Sequence, residues 1–144
     1  NAHMERGHAM EDEARRLYAF MADVEPQRVG FVRNGNVGCS PDSLIGDDGV
    51  LEIKTRLPHL QIELLVADRV PPEHRAQIQG QLWVTGRAWC DFVSHWPKLP
   101  LFSKRVERDE AYIATLADEV GQFCQELDAL TERMVRAGAT RLAA

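Results

Sequence analysis

An α/β fold around a mixed sheet is what this sequence predicts, on three observations. Strand-like segments fill the middle of the chain, helical periodicity flanks them on both sides, and a helix crosses between the third and fourth strands. The length of 144 residues, 44% hydrophobic and 27% charged, suits one domain with a real core, expected over residues 5–137. Asn1-Ala2-His3-Met4 reads as a tag remnant followed by a start methionine, and residues 138–144 as a frayed tail.

Each element has its own signal. From Gly7 to about Ala22, Met10, Ala14, Leu17, Tyr18 and Met21 recur at the three-four spacing of one buried helix face. Glu25-Pro26 ends that helix, and Arg28–Val32 reads as a strand that turns at Asn34-Gly35-Asn36. Gly38–Lys54 reads as a hairpin about the turn Gly46-Asp47-Asp48-Gly49, so three consecutive strands are expected to form an antiparallel meander. A short helix over Leu60–Asp68 follows, then a second over Glu73–Thr85, opened by Pro71-Pro72 and stopped by Gly86. Trp89–Trp96 and Phe102–Arg108 are the remaining strands. From Asp109 to about Ala137 a long helix carries Ile113, Leu116, Val120, Phe123, Leu127, Leu130 and Met134 at alternating spacings of three and four, a seam that serves either a coiled-coil partner or the body of its own domain.

The chemistry gathers on the hairpin. In Leu51-Glu52-Ile53-Lys54 side chains alternate, so Glu52 and Lys54 share one face while Leu51 and Ile53 share the other. Folding about the turn brings Asp42 back toward Glu52 and Lys54. Two carboxylates and an amine suit a hard divalent cation and an activated water; the plainer alternative is an exposed strand bearing an ion pair. On the first helix, Glu11 lies on the side of Ala14 and Tyr18, and pattern alone allows either an inward carboxylate or a solvated one favoured by the helix dipole.

Composition excludes several classes. No run is long enough to span a membrane and no signal peptide is visible, so a soluble, cytoplasmic protein is expected. Cys39, Cys90 and Cys124 are odd in number and far apart, which fits free thiols rather than a disulfide frame or a zinc or iron–sulfur site. Net charge is −5, yet residues 51–108 carry +3 between two stretches of −4 each, so a phosphate-binding stripe and mixed surface charge are both open. Trp83, Trp89 and Trp96 are expected in the core rather than stacked on bases, and His59 and His95 are expected to be ordinary.

Pro41-Asp42, nine residues, then Glu52-Ile53-Lys54 is the pattern of the PD-(D/E)xK nuclease superfamily. With Gly7–Arg15, Gln77–Gly86 followed by Trp89–Val93, and Val106–Ile113, the chain resembles the lambda-type, YqaJ-like viral recombinase exonucleases from Gly7 to about Phe123. The resemblance implies a restriction-endonuclease-like core, a central mixed β-sheet flanked by helices with a long C-terminal helix. It implies a Mg2+- or Mn2+-dependent exonuclease, phage or prophage encoded and at work in a bacterial host, that degrades one strand of double-stranded DNA from a 5′ end and hands single strand to a single-strand annealing protein. Asp42 and Glu52 would ligate the metal with the carbonyl of Ile53, and Glu11 would reach it directly or through water. Lys54 would orient and help deprotonate the attacking water, and Gln77 would position that water or the scissile phosphate. Arg56, Arg75 and His74, the last one helical turn before Gln77, are the expected DNA contacts, with Arg69 and Arg87 as further phosphate-binding candidates. Some relatives form trimeric rings, which makes a homo-oligomer an expectation. Typical members also carry a basic segment before the Gly7 block that grips the 5′ phosphate, and some place an acidic residue where Val32, Arg33 and Asn34 stand. Almost nothing precedes the block here, so a trimmed or naturally short form is expected. A non-cleaving DNA-binding or assembly module and an endonuclease on the same fold are the alternatives.

Overall fold

Strand β4, Gly49–Thr55, lies inside a four-stranded mixed sheet of order β3-β4-β5-β6. The computed structural model of the chain describes residues 2–140, so Asn1 of the expected tag remnant and residues 141–144 of the expected tail lie outside it. The elements run α1 (Ala2–Ala22), β1 (Val32–Asn34), β2 (Val37–Cys39), β3 (Ser43–Ile45), β4, α2 (Pro58–Ala67), a 3-10 turn (Pro72–His74), α3 (Arg75–Thr85), β5 (Trp89–His95), β6 (Phe102–Glu107) and α4 (Glu110–Arg136). β3 pairs with β4 antiparallel, Ser43 opposite Leu51; β5 pairs with β4 in parallel, Ile53 opposite Val93; and β6 returns antiparallel to β5. A parallel pair needs a long connection, supplied here by α2 and α3.

Both faces of β4 are covered, which is why Gly49 to Ile53 are all buried. On one face Ala14 and Tyr18 of α1 pack with Ile45, Leu51, Ile53 and Val93. The opposite face meets α3, where Ile78 and Leu82 are wholly buried, and Phe92 contacts the rings of His74 and Phe102. Gly49 is required at the base of the hairpin: a Cβ there would lie 2.2 Å from the Trp89 ring. Gly46, with φ of 50°, gives the turn its left-handed step.

The meander expected from the sequence does not form. β1 and β2 make a separate two-stranded sheet against α3, and the stretch 38–45 expected as one strand divides into β2 and β3. Pro41, at the break, has no amide to give to a ladder, and the Ile53 N–H donates instead to Asp42 Oδ2 at 2.6 Å. Of the strand expected over Arg28–Val32 only Val32 pairs within a strand; Gln27 makes an isolated bridge to Leu44. The helices sit close to expectation, although α1 begins at Ala2 and the first turn of the third helix is 3-10. Gly86, with φ of 69°, caps α3, and Pro58 opens α2.

The chain divides into two compact units at Asp109/Glu110. The second is built on α4, a 27-residue helix whose Phe123, Leu127, Leu130 and Met134 expose about half of their surface or more. Among the described residues no helix is long and apolar enough to cross a membrane.

Part of the basic segment over residues 51–108, for which the sequence leaves a phosphate-binding stripe and mixed surface charge both open, is consumed inside the fold. Arg87 donates to the carbonyls of Ile45, Gly46 and Gly49, pinning the hairpin turn rather than awaiting a phosphate, and Arg108 donates to Leu82 and Arg87. Arg105 makes two bonds to Asp91 and lies 3.5 Å over the Trp89 ring. Asp91 also accepts from Tyr18 Oη at 2.6 Å, tying α1 to β5. Burial, followed by the bond to Asp91, pushes the Tyr18 hydroxyl well above its usual pKa.

Because Arg105 is half exposed, the buried Tyr18 bond should dominate this brace. Tyr18→Phe is expected to cost about 1.5 kcal/mol, and Asp91→Ala about 3 kcal/mol because it also strands the Tyr18 hydroxyl, both read from urea unfolding midpoints.

Candidate active site

Glu52 and Lys54 of β4 and Arg56 just beyond it meet Gln81 and Gln77 of α3 and His74 of the preceding 3-10 turn in pairs. Glu52, Lys54 and Arg56 follow the two-residue period of the strand and its continuation; His74, Gln77 and Gln81 follow the three-four period of a helix face. Gln81 Nε2 donates to Glu52 Oε2 at 2.8 Å. Gln77 Nε2 donates to Glu52 Oε1 at 2.8 Å while its Oε1 accepts from Lys54 Nζ at 3.1 Å. Lys54 Nζ also pairs with Glu52 Oε1 at 2.6 Å. At the outer end, Arg56 and His74 Nε2 are 2.6 Å apart. The line runs from a carboxylate 2% exposed to a half-buried guanidinium.

Asp42 enters from the β2–β3 connection, held by the Ile53 amide. Its carboxyl is raised to about 6, first by burial and then by Glu52, with a smaller contribution from Glu11; the Ile53 amide and Lys54 oppose the rise. Glu11 and Ile53 line one cavity of about 260 Å3 with Met4, Gly7, His8 and Thr55. Glu11 Oε1 is bonded to Arg15 at 2.6 Å, and Arg15 reaches on to Ser43 Oγ at 2.9 Å and the Asp42 carbonyl at 3.3 Å.

Among the described residues no three His, Cys, Asp or Glu side chains stand together as a ready-made metal cluster. The donor set nonetheless suits a small hard cation. Mg2+ keeps several waters and needs only one or two carboxylates, and Asp42 is destabilised as an anion first by burial and then by the Glu52 charge, both of which a cation would offset. Asp42, Glu52 and the Ile53 carbonyl are the oxygen donors around this part of β4, with Glu11 beside them.

The residues expected from sequence separate into two groups. Asp42, Glu52, Lys54 and Gln77 are brought together, and Arg56 and His74 extend the same line. Arg75 is turned to Asp109, with which it pairs at 2.9 Å, and is not part of that line. Exposed Arg69 lines a separate cavity of about 190 Å3 that Arg56 also borders. Trp89 packs against the core cluster, and Trp83 and Trp96 are half-buried. Sequence reasoning missed Gln81 and Arg15. The signal was present in both cases, since each stands four residues after a residue already singled out, Gln77 and Glu11.

The YqaJ-like viral recombinase domain family matches residues 1–88. The chain is similar to the alkaline exonuclease LHK-Exo of Laribacter hongkongensis, with 38% identity over 93% of this chain and 73% of that one and a TM-score of 0.87. Against LHK-Exo in complex with dAMP the values are 39% identity, 95% and 74% coverage, and a TM-score of 0.87. A phage-related exonuclease from Haemophilus somnus 129PT, 15% identical over 93% of this chain and 74% of that one with a TM-score of 0.67, shares the fold. No curated protein matches the chain.

The Arg56 pairing requires His74 Nε2 as an acceptor, hence a neutral ring. Burial, then Lys54 and Arg56, lower the His74 pKa below 6.5. A depressed folded pKa gives stability that is complete above the unfolded value and is lost as pH falls from about 6.5 through the folded pKa. His74→Gln, which keeps an acceptor, should therefore flatten the loss of stability between pH 7 and pH 5, measured by urea unfolding across that range.

Proposed function

The chain belongs to the YqaJ-like viral recombinase domain family, and we propose that it is a divalent-metal-dependent exonuclease hydrolysing the phosphodiester bonds of double-stranded DNA from 5′ to 3′. The observation that carries this reading is the convergence of Asp42, Glu52 and Lys54 with Gln77 around the C-terminal half of β4. A purely structural role would not favour so much charge in one half-buried place, because buried charge is costly unless it serves the site. The alkaline exonuclease name of LHK-Exo supports the same reaction class.

Asp42, Glu52 and the Ile53 carbonyl would hold Mg2+ or Mn2+, with Glu11 next to them. Bound there, the ion would supply positive charge against phosphate oxygens and make water more acidic. The chain's own groups do the positioning. Lys54, as an ammonium, has three donors; two are committed to Glu52 and Gln77, and the third is left for a water or a phosphate oxygen. Gln77 bonds Lys54 and Glu52 at once and so fixes their separation. Arg56, held by His74, would grip the substrate strand at a phosphate on the outer side of the site. Family resemblance adds a phage or prophage origin, action in the bacterial cytoplasm, an annealing protein that receives the single strand, and a homo-oligomer whose stoichiometry light scattering would read.

Incubated with Mg2+, the protein should release mononucleotides from end-labelled linear duplex and leave closed circular DNA intact. Lys54→Ala should lower the rate at least about 100-fold with binding retained. Nicking of circles would identify an endonuclease, and cleavage absent in both proteins would leave a binding module. For Arg56→Ala, duplex affinity measured without divalent metal should fall and the slope of log K against log salt should drop by about one.

A further inference from the structure

Three buried glutamines stiffen the sheet's surroundings, and one of them is unlike the other two. Gln61 uses both ends of its amide, donating to the Ser94 and Pro100 carbonyls and accepting from Ser94 Oγ. Gln79 does the same, donating to the Glu107 carbonyl and accepting from the Asp109 amide. Gln81 is 3% exposed and donates to Glu52 Oε2, but its Oε1 is buried with no protein partner. Reversing the amide would set Oε1 against a carboxylate oxygen, so the nitrogen must face Glu52. An apolar side chain of the same size would relieve the orphaned oxygen and suit a core helix better. Holding Glu52 is what Gln81 does that such a side chain cannot.

The hold has a geometric consequence. Lys54 and Gln77 both bind Oε1, in part-buried bonds, and Gln81 alone binds Oε2, in a buried one. With Oε2 tied to α3, the carboxylate cannot swing to present both oxygens to a ligand. Mg2+ demands near-ideal octahedral placement of its donors, whereas Ca2+ is larger and accepts bidentate carboxylates and irregular shells. We infer that Gln81 is a positioning residue which clamps the Glu52 carboxylate and thereby sets the site's preference for a small divalent cation over Ca2+. This rests on the reading of the site as a divalent-cation centre.

The test is titration calorimetry of the whole chain with Mg2+ and separately with Ca2+, on wild type, Gln81→Met and Asp42→Ala, with melting temperatures of the metal-free proteins. Gln81→Met should melt no lower than wild type, bind Mg2+ at least about 10-fold more weakly, and bind Ca2+ with a smaller loss, so that the Mg2+/Ca2+ ratio narrows. Gln81→Asn, with a donor one methylene short, should fall between. Equal losses for both cations, an unchanged Mg2+ affinity, or a Gln81→Met that melts lower or fails to fold would overturn the proposal while leaving the metal site standing. Wild-type protein that binds neither ion, or binds both as well after Asp42→Ala, would overturn the metal reading and this inference with it.

Discussion

A carboxylate in the middle of a sheet has to be answered on every side, and Glu52 is the point from which the arrangement follows. Removing it from water would cost several kcal/mol without compensating partners. Here its two oxygens take three donors, Lys54 from its own strand and Gln77 and Gln81 from α3. Those bonds require α3 to lie across β4 with its glutamine face down, which in turn places Ile78 and Leu82 in the core beside Phe92. Charge satisfaction and hydrophobic packing thus ask for the same helix placement.

The second constraint is Asp42. A regular hairpin would have used backbone groups opposite Ile53; the chain bends at Pro41 and a side-chain carboxylate takes the amide. That substitution ends β2, starts β3 and fixes Asp42 beside Glu52, where burial and then the Glu52 charge raise its pKa to about 6 against the opposing pull of the Ile53 amide. Arg15 then links Glu11, Asp42 and Ser43, so α1 is registered to the same edge by ionic contacts while Ala14 and Tyr18 are registered by packing. The most charged place in the first unit is also one of its most connected, the usual compromise between stability and a working site.

Much of this was legible from periodicity. Alternation placed Glu52 and Lys54 on one face, helical spacing gave α1 and α3 their buried sides, and Pro71-Pro72 and Gly86 marked the start and stop of α3. What misled was the assumption that consecutive strands pair with each other. Local pattern cannot tell whether β2 continues into β3, because either outcome uses the same residues; the difference lies in the missing Pro41 amide and a side chain that outcompetes the ladder. The basic middle segment stayed undecided for a related reason. Charge along a sequence does not say whether a guanidinium meets solvent or a turn's carbonyls, as Arg87 and Arg108 do.

By itself the sequence determined the residue types of the site, their strand and helix periods, and hence that Asp42, Glu52 and Lys54 could converge, with Gln77 added by the family resemblance. The tertiary structure alone decided that Arg56 and His74 extend that line, that Arg75 turns away to Asp109, and that Gln81 holds the far oxygen of Glu52. The physical reason is that alternation and helical spacing are local properties of a chain, whereas a hydrogen bond between β4 and α3 depends on the angle and depth at which the helix crosses the sheet, and only the packed core sets those.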